Sequence, residues 1–211
     1  MKTPREPGAP ALPDAHLRED LQRSEQLHRG NFLELRRDHV RLPDGATATR
    51  EYVVHPGAVA IVPLLDDGRV VLERQFRYPV GRVMLEIPAG KIDVGEPPLQ
   101  CAMRELLEET GYVAREWAYA GRVHNAAAYS TEGIEIWFAR GLSAGAQQLD
   151  VGEFIELCLL DEAAFDAHAA AGEITDVKTL VGLLWLQQWR AGRWPLHWAA
   201  AAPPGTAIIA E

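Results

Sequence analysis

Three glutamates crowd into residues 104–111, whose sequence is RELLEETG, with a single arginine among them. Glu105 and Glu109 lie four residues apart, and Glu108 lies beside them. Like charges at this spacing repel each other and weaken an isolated helix. A bound divalent cation would explain why these acids lie close together, because hard ions such as Mg²⁺ take oxygen ligands from one or two carboxylates together with substrate phosphates. The spacing therefore indicates a cation site that meets phosphate groups.

A helix over residues 99–110 is expected to position these acids. Pro97 and Pro98 fit only before a helix or in its first turn, and Gly111 suits the position just after its end. On a helical projection the three glutamates fall opposite the apolar stripe, which predicts that they are exposed. An ordinary solvated helix face is the alternative interpretation. The helix dipole argues against that alternative, because it disfavours anions near the C-terminal end.

The loop before this helix, AGKIDVGE at residues 89–96, adds two glycines and a further acid. Gly90 and Gly95 permit tight turns and let the backbone approach a ligand closely. Glu96 brings a fourth carboxylate toward the same place. The loop and the helix are therefore expected to form one site.

Together these residues resemble the signature of the Nudix hydrolases. Gly90, Glu96 and the helix segment match its fixed positions across residues 90–111, while Tyr112 stands at the closing aliphatic position. The resemblance implies a Nudix-type α/β/α sandwich with a mixed sheet, an N-terminal β-hairpin subdomain, and hydrolysis of a pyrophosphate bond. It also implies Mg²⁺ as the metal ion, with Mn²⁺ as an alternative.

The resemblance implies metal ligands residue by residue. Glu105 and Glu109 match the main ligands, and Glu108 matches a further ligand with a part in catalysis. The backbone carbonyl of Ala89 matches another ligand.

The same resemblance implies bracing and catalytic residues around those ligands. Glu96 belongs to the metal site and, with Arg104, braces the loop and orients the helix glutamates. A catalytic glutamate is expected at Glu153, at the end of the segment SAGAQQLDVGEF, to bind a further Mg²⁺ or to take a proton from the attacking water. Asp150 is the alternative base in that loop.

The surrounding sequence is similar to the ADP-ribose pyrophosphatase branch, which includes hydrolases of GDP-mannose and other nucleoside diphosphate sugars. In that branch an N-terminal hairpin is exchanged across a homodimer. The likeness implies that Phe32 stacks on adenine, that Arg50 and Arg77 meet the terminal ribose or the diphosphate, and that Glu86 accepts from a ribose hydroxyl. Ala127 departs from the proline that many ADP-ribose enzymes carry near this place.

Each of these substrate residues also has a purely structural interpretation. Phe32 alternates with charged residues and is compatible with a core position. Arg77 is compatible with a surface charge on a hairpin. Glu86 lies between Leu85 and Ile87, so it points to the opposite sheet face from both, where solvent is one explanation.

Composition excludes several classes of protein. The 211-residue chain carries a net charge of −9 and has no run of five or more basic residues, which argues against nucleic acid as a partner. No apolar run approaches the ~18 residues needed to span a membrane. The two cysteines, Cys101 and Cys158, form no metal-type spacing and are expected to be reduced and partly buried. A cytoplasmic enzyme is the resulting expectation.

Apolar patterns and turn signals predict an α+β domain with helices packed on a mixed sheet. Strands are predicted at residues 31–42, 47–55, 57–65, 69–76, 83–88, 133–140 and 154–160. Further helices are predicted at residues 161–171 and 176–189. The expected organisation is a disordered tail (1–14), an N-terminal hairpin and dimerisation region (15–55), a Nudix hydrolase domain (56–201) and a loose tail (202–211).

Three functions follow from this sequence. The first is a homodimeric, Mg²⁺-dependent ADP-ribose pyrophosphatase that releases AMP and ribose 5-phosphate. The second is a hydrolase of another nucleoside diphosphate sugar, GDP-mannose first. The third is a non-catalytic Nudix-type nucleotide sensor, which is disfavoured because such sensors usually lose signature glutamates and this chain has lost none.

Overall fold

A computed structural model describes residues 14–201, which fall into two compact units. The described part of the N-terminal unit comprises residues 14–55 and 128–131, and that of the second unit comprises residues 56–127 and 132–201. The predicted C-terminal tail (202–211) and all of the predicted N-terminal tail (1–14) except Asp14 lie outside the described residues.

The N-terminal unit is a three-stranded antiparallel sheet in the order β1 (Asp20–Arg29), β2 (Glu34–Arg41), β3 (Thr47–Val54). A short 3₁₀ helix, Ala15–Leu17, precedes it. The hairpin of β2 and β3 was predicted, and the turn between them closes through Gly45, whose φ of 89° suits glycine. Strand β1 was not predicted, because almost every residue in it is exposed and no apolar alternation marks it.

The second unit is built on a mixed sheet in which β4 and β9 run parallel and the other paired strands run antiparallel. Its strands are β4 (Ala58–Leu64), β5 (Val70–Arg77), β6 (Arg82–Glu86), β7 (Ala89–Lys91), β8 (Tyr112–Val123), β9 (Ile134–Ala144), β10 (Ile155–Leu160) and β11 (Trp198–Ala200). The order across the sheet is β10-β5-β4-β9-β8-β11, with β6 paired to β5 and β7 paired to β4.

Three α-helices accompany this sheet: α1 (Pro98–Thr110), α2 (Glu162–Ala170) and α3 (Val177–Arg190). Helix α1 ends at Gly111, whose φ of 72° is the left-handed conformation that a glycine cap adopts. The side chain of Asp161 accepts a hydrogen bond from the Ala164 amide at the start of α2. Asp176 does the same for Thr179 at the start of α3. All three helices were predicted within two residues of these bounds.

The helices cover the two faces of the sheet, which makes an α/β/α arrangement. On one face, α1 packs on β4, β8 and β9 around Val59, Ile61, Cys101, Ala102 and Leu106. On the other face, α3 packs on β4 and β9 around Val62, Leu72, Phe138, Leu183 and Leu186. The predicted α+β class with a mixed sheet is confirmed. No helix within residues 14–201 has the length and apolar character needed to cross a membrane.

Candidate active site

Helix α1 does not expose its glutamates to solvent, contrary to the prediction from the helical projection. Glu105 and Glu109 are only 9% and 4% exposed, and Glu108 is partly exposed. The projection treated the helix alone, whereas strand β7 lies against this side of it. The backbone amide of Ala89 donates to the Glu109 carboxylate at 2.9 Å. The acids are therefore enclosed by the loop that the sequence predicted to lie near them.

Gly90 is the point of closest approach between that loop and the helix. A Cβ atom at this position would overlap the carboxylate of Glu105. Only glycine therefore lets the backbone of β7 pass over this side chain.

Arg104 binds the acids of the loop and the helix together. Its guanidinium donates two hydrogen bonds to Glu96, from Nε at 2.9 Å and from Nη2 at 2.8 Å. Nη1 donates to Glu105 at 2.7 Å and to Glu108 at 3.0 Å. These hydrogen bonds lower the pKa of Glu96 and raise that of Arg104. The arrangement is the fork-like contact for which arginine is suited.

The buried acids of α1 lack enough positive charge around them. Burial raises the pKa of Glu105 above its ordinary value despite the contact with Arg104. Burial also raises the pKa of Glu109 to about 10, with contributions from the charges of Glu73 and Glu105. A carboxylate in this environment is stabilised by a cation at its side.

The chemistry of this donor set fits a divalent cation. Oxygen donors of buried carboxylates and a nearby backbone segment are the ligands that Mg²⁺ and Mn²⁺ accept. Within residues 14–201, however, no three His, Cys, Asp or Glu side chains already stand close enough together to hold a metal ion. At α1 the guanidinium of Arg104 bridges Glu105 and Glu108. A cation would therefore have to draw the glutamates into a closer set than the one seen here.

Glu153 lies in a turn that faces the same acids. Its backbone amide donates to the Asp150 carbonyl at 3.0 Å, and the Asp150 amide donates to the Glu153 carboxylate at 3.2 Å. Burial is the largest cause that raises the pKa values of Glu105 and Glu109, and the negative charge of Glu153 is among the smaller ones. The fold therefore brings Glu153 within electrostatic reach of α1.

A cavity of about 500 Å³ opens beside Glu153. Its lining residues come from β5, β6, β10 and the loop before β10: Arg74, Phe76, Val83, Leu149, Glu153, Phe154, Ile155 and Glu156. Arg74 and Phe76 share a sheet face with Leu72, so the strand side chains that line this cavity lie on the α3 side, opposite to the acids of α1.

Glu86 is fully buried, which rules out the solvent-facing interpretation. Arg77 donates to its two carboxylate oxygens from Nε at 2.8 Å and from Nη2 at 3.0 Å. Lys178 also binds Glu86, and its ammonium lies 3.1 Å from Asp176. Arg77 is therefore anchored rather than a loose surface charge. The burial of Glu86 argues against direct acceptance of a hydrogen bond from a ribose hydroxyl, because both of its carboxylate oxygens already accept hydrogen bonds from Arg77 or Lys178.

Glu73 is a buried acid that the sequence analysis missed. It lies in β5 with no exposed surface, no N–H donor reaches its carboxylate oxygens within residues 14–201, and its side chain hydrogen-bonds with the carboxyl group of Glu109. Burial raises its pKa to about 8. The only signal in the sequence is a glutamate inside the apolar run RVVLERQF, which indicated a strand but not a special role for this residue.

Phe32 and Arg50 both belong to the N-terminal unit. The Phe32 ring is 51% exposed, which contradicts the core interpretation, and it meets the His55 ring edge-to-face at 5.9 Å between centroids. Arg50 is exposed and donates to Glu19 from Nε at 3.0 Å and from Nη2 at 2.5 Å.

Comparison with known proteins assigns the chain to a family. Residues 54–180, more than half of the chain, match the family model of the NUDIX domain. The chain belongs to the Nudix family. This confirms the family that the signature of loop and helix predicted. Residues 19–53 of this Nudix protein match a second family model, the nucleoside diphosphate sugar hydrolase N-terminal domain.

Individual relatives extend over most of the Nudix protein. It is 37% identical over 169 residues to a methanol dehydrogenase activator of Bacillus methanolicus, covering 78% of this chain and 90% of the relative. It is 35% identical over 173 residues to an ADP-ribose pyrophosphatase of Bacillus subtilis (strain 168), covering 81% and 94%. A crystal structure of an ADP compounds hydrolase superposes with a TM-score of 0.75 at 21% identity, covering 83% of this chain and 95% of that one. The last likeness shows a shared fold.

Proposed function

We propose that this Nudix protein hydrolyses the pyrophosphate bond of ADP-ribose to give AMP and ribose 5-phosphate. The observation that carries the proposal is the pair Glu105 and Glu109, two buried acids with raised pKa values beneath the Ala89–Gly90 backbone. The ADP-ribose pyrophosphatase of Bacillus subtilis supports the choice of substrate. We assign hydrolysis to residues 56–201 and dimerisation to residues 15–55.

Mg²⁺ is the cation that we assign to the site, with Mn²⁺ as an alternative. Glu105 and Glu109 would hold it, with the carbonyl of Ala89 and the partly exposed Glu108 as further ligands. When bound, such an ion polarises phosphoryl oxygens and lowers the pKa of the attacking water. Arg104 keeps Glu105 and Glu108 in place and ties the helix to Glu96 in the loop.

Hydrolysis needs a group that accepts a proton from water while a P–O bond forms and one bond of the P–O–P bridge breaks. We assign this proton to Glu153, because its charge reaches the α1 acids. Asp150, its partner in the turn, remains the alternative. A positioned carboxylate of this kind contributes about 10²–10⁴-fold to a rate.

Arg77 is the residue that we assign to the negative charge of the diphosphate. Glu86 fixes two nitrogens of its guanidinium, and the arginine side chain is still 36% exposed. An anchored guanidinium loses little freedom when it binds a phosphate oxygen. Glu86 thus acts on the substrate through Arg77 in this proposal.

We also propose that the N-terminal unit is exchanged in a homodimer, where Phe32 stacks on adenine and Arg50 meets the ribose or diphosphate. The support is its exposed apolar surface, which includes Leu21, Leu27 and Leu33. Such a surface on a small sheet favours coverage by another chain. Light scattering at micromolar concentration should report twice the chain mass, and a fully active monomer would contradict this part. A cytoplasmic location stays a prediction.

A second candidate function is hydrolysis of another nucleoside diphosphate sugar such as GDP-mannose. The match of residues 19–53 to the nucleoside diphosphate sugar hydrolase N-terminal domain favours this broader class. A non-catalytic sensor is disfavoured, because every acid of the signature is present.

A substrate panel with Mg²⁺ separates these functions. ADP-ribose, GDP-mannose and other nucleoside diphosphate sugars are offered at equal concentration, and AMP, GMP and sugar phosphates are quantified. The proposal predicts the largest kcat/KM for ADP-ribose. A larger value for GDP-mannose would transfer the function to the second candidate, and no product from any substrate would support the sensor.

A further inference from the structure

Glu73 occupies a specific face of the sheet near the active site. Successive side chains of a strand point to opposite faces. Val70 and Leu72 of β5 belong to the core on the side of α3, so Glu73 points to the side that α1 covers. It lies directly across from Glu86 in the pairing of β5 with β6.

The cations near Glu73 are bound to other acids. Arg77 donates two hydrogen bonds to Glu86, and Lys178 binds Glu86 and Asp176. Within the described residues no cationic side chain hydrogen-bonds to Glu73, although its side chain is completely buried, and the group that hydrogen-bonds with it is the carboxyl of Glu109. An uncompensated buried acid destabilises a fold, and a protein with an apolar residue in its place is often more stable. Stability of the metal-free protein therefore does not explain this glutamate.

The neighbour of Glu73 on the side of α1 is Glu109. The two carboxyl groups lie within hydrogen-bonding reach of each other, and their charges repel when both are ionised. Glu109 is held on its other side by the Ala89 amide at 2.9 Å. Glu73 therefore contacts Glu109, the acid to which we assign the cation, from the side of the sheet.

We propose that Glu73 is a further acidic group of the divalent-cation site, a positioning residue that stands behind Glu109 and strengthens cation binding by its charge. This inference rests on the proposed function and deepens it. The number of negative charges around a site is one of the variables that set its affinity for a hard divalent ion. A buried carboxyl that no cationic side chain binds, and that contacts a second acid, provides that extra charge where solvent does not screen it.

Mn²⁺ binding to the full chain without substrate tests the inference. The free and bound ion are quantified by electron paramagnetic resonance for wild type, Glu73→Gln, Glu73→Asp and the control Glu116→Gln. Glu116 lies on β8, three strands away from β5 in the sheet order, and accepts a hydrogen bond from Arg140 on β9, so its loss should not affect the site. Loss of a group that supports a metal ligand typically weakens metal affinity about 10–100-fold. We expect a weakening in this range for Glu73→Gln, partial recovery in Glu73→Asp, and no change in the control.

A second readout separates positioning from a merely structural role. The melting temperature of metal-free Glu73→Gln should equal or exceed that of wild type, because the substitution removes an acid whose ionisation burial opposes and keeps the shape. Affinity within twofold of wild type, or a melting temperature several degrees lower, would overturn the inference. If wild type binds no Mn²⁺, the proposed function fails together with the inference. Equal binding by wild type and Glu73→Gln overturns the inference alone.

Discussion

The amide of Ala89 donates to the carboxylate of Glu109 at 2.9 Å, which fastens strand β7 to the end of helix α1. The contact joins the two halves of the signature, the glycine-containing segment and the helix of acids. It also places Glu109 in a buried position, where its negative charge is costly without a cation. A helix face that looked exposed in projection is thus the floor of the candidate active site.

Neutralising either main acid should separate activity from stability. We expect Glu105→Gln and Glu109→Gln each to lower kcat by at least ~10²-fold, because each removes a proposed metal ligand. Metal-free Glu109→Gln should melt at a higher temperature than wild type, because burial already opposes the charge of this group. Turnover and calorimetry in EDTA measure the two effects. Near-normal turnover in either variant would contradict the assignment of Glu105 and Glu109 as metal ligands.

Gly90→Ala should damage the site without touching an acid. The added Cβ would overlap the Glu105 carboxylate, so the loop or the side chain must shift. Displacement of a reacting or positioning group by ~1 Å can cost about 10²-fold in rate. Gly30→Ala is the matched control, because a Cβ there meets nothing closer than 3.6 Å. Equal kcat values for the two variants would show that the tight approach at Gly90 does not matter.

Glu86→Gln should lower stability in a way that depends on pH. Burial alone would raise the pKa of Glu86, but the hydrogen bonds from Arg77 and the charge of Lys178 outweigh it and lower the pKa. The stabilisation is therefore present above the unfolded pKa of about 4.3 and is lost as pH falls through the lower folded pKa. At pH 7 the substitution should cost about 3 kcal/mol in the free energy of unfolding.

Urea unfolding of wild type and Glu86→Gln across the acid range checks this prediction. The difference in stability should narrow once the pH drops below about 4. Glu156→Gln is the control, because its exposed pair with Arg74 is worth at most about 1 kcal/mol. A difference for Glu86→Gln that stays constant with pH would mean that its ionised form is not the stabilising one.

Glu153→Gln should lower kcat by at least ~10²-fold with little change in KM, as expected for a contact made mainly in the transition state. Asp150→Asn should have a smaller effect, because the charge of Glu153 acts on the proposed ligands Glu105 and Glu109. Steady-state kinetics with ADP-ribose compares the two. A large loss confined to Asp150→Asn would transfer the role to that residue, and small losses in both would point to the helix glutamates.

The sequence predicted those parts of the fold whose signals are local. Helix α1 is bounded by Pro98 and Gly111, and helices α2 and α3 begin after aspartates that cap them. The exposure of Glu105 and Glu109 was predicted wrongly, because the β7 segment that covers them comes from outside the helix. Burial of a helix face is a tertiary relationship that a helical projection does not contain.

Strands without regular alternation escaped prediction. Strand β8 changes register between Tyr119 and Gly121, so its period-two pattern is interrupted. Strand β11, Trp198–Ala200, has too few residues to show any period. Glu73 escaped for a related reason, since one acid in an apolar strand gives no indication of what it faces across the sheet.

The central claim is that the acids of α1 hold a divalent cation for hydrolysis of ADP-ribose. Its most direct measurement is the amount of AMP and ribose 5-phosphate formed from ADP-ribose by wild type and Glu109→Gln, with Mg²⁺ and with excess EDTA. We expect wild type to form equal amounts of both products in Mg²⁺. Product formation by wild type should stop in EDTA and recover when Mg²⁺ is added back, and Glu109→Gln should form almost no product. Undiminished AMP release in EDTA, or by Glu109→Gln, would contradict it.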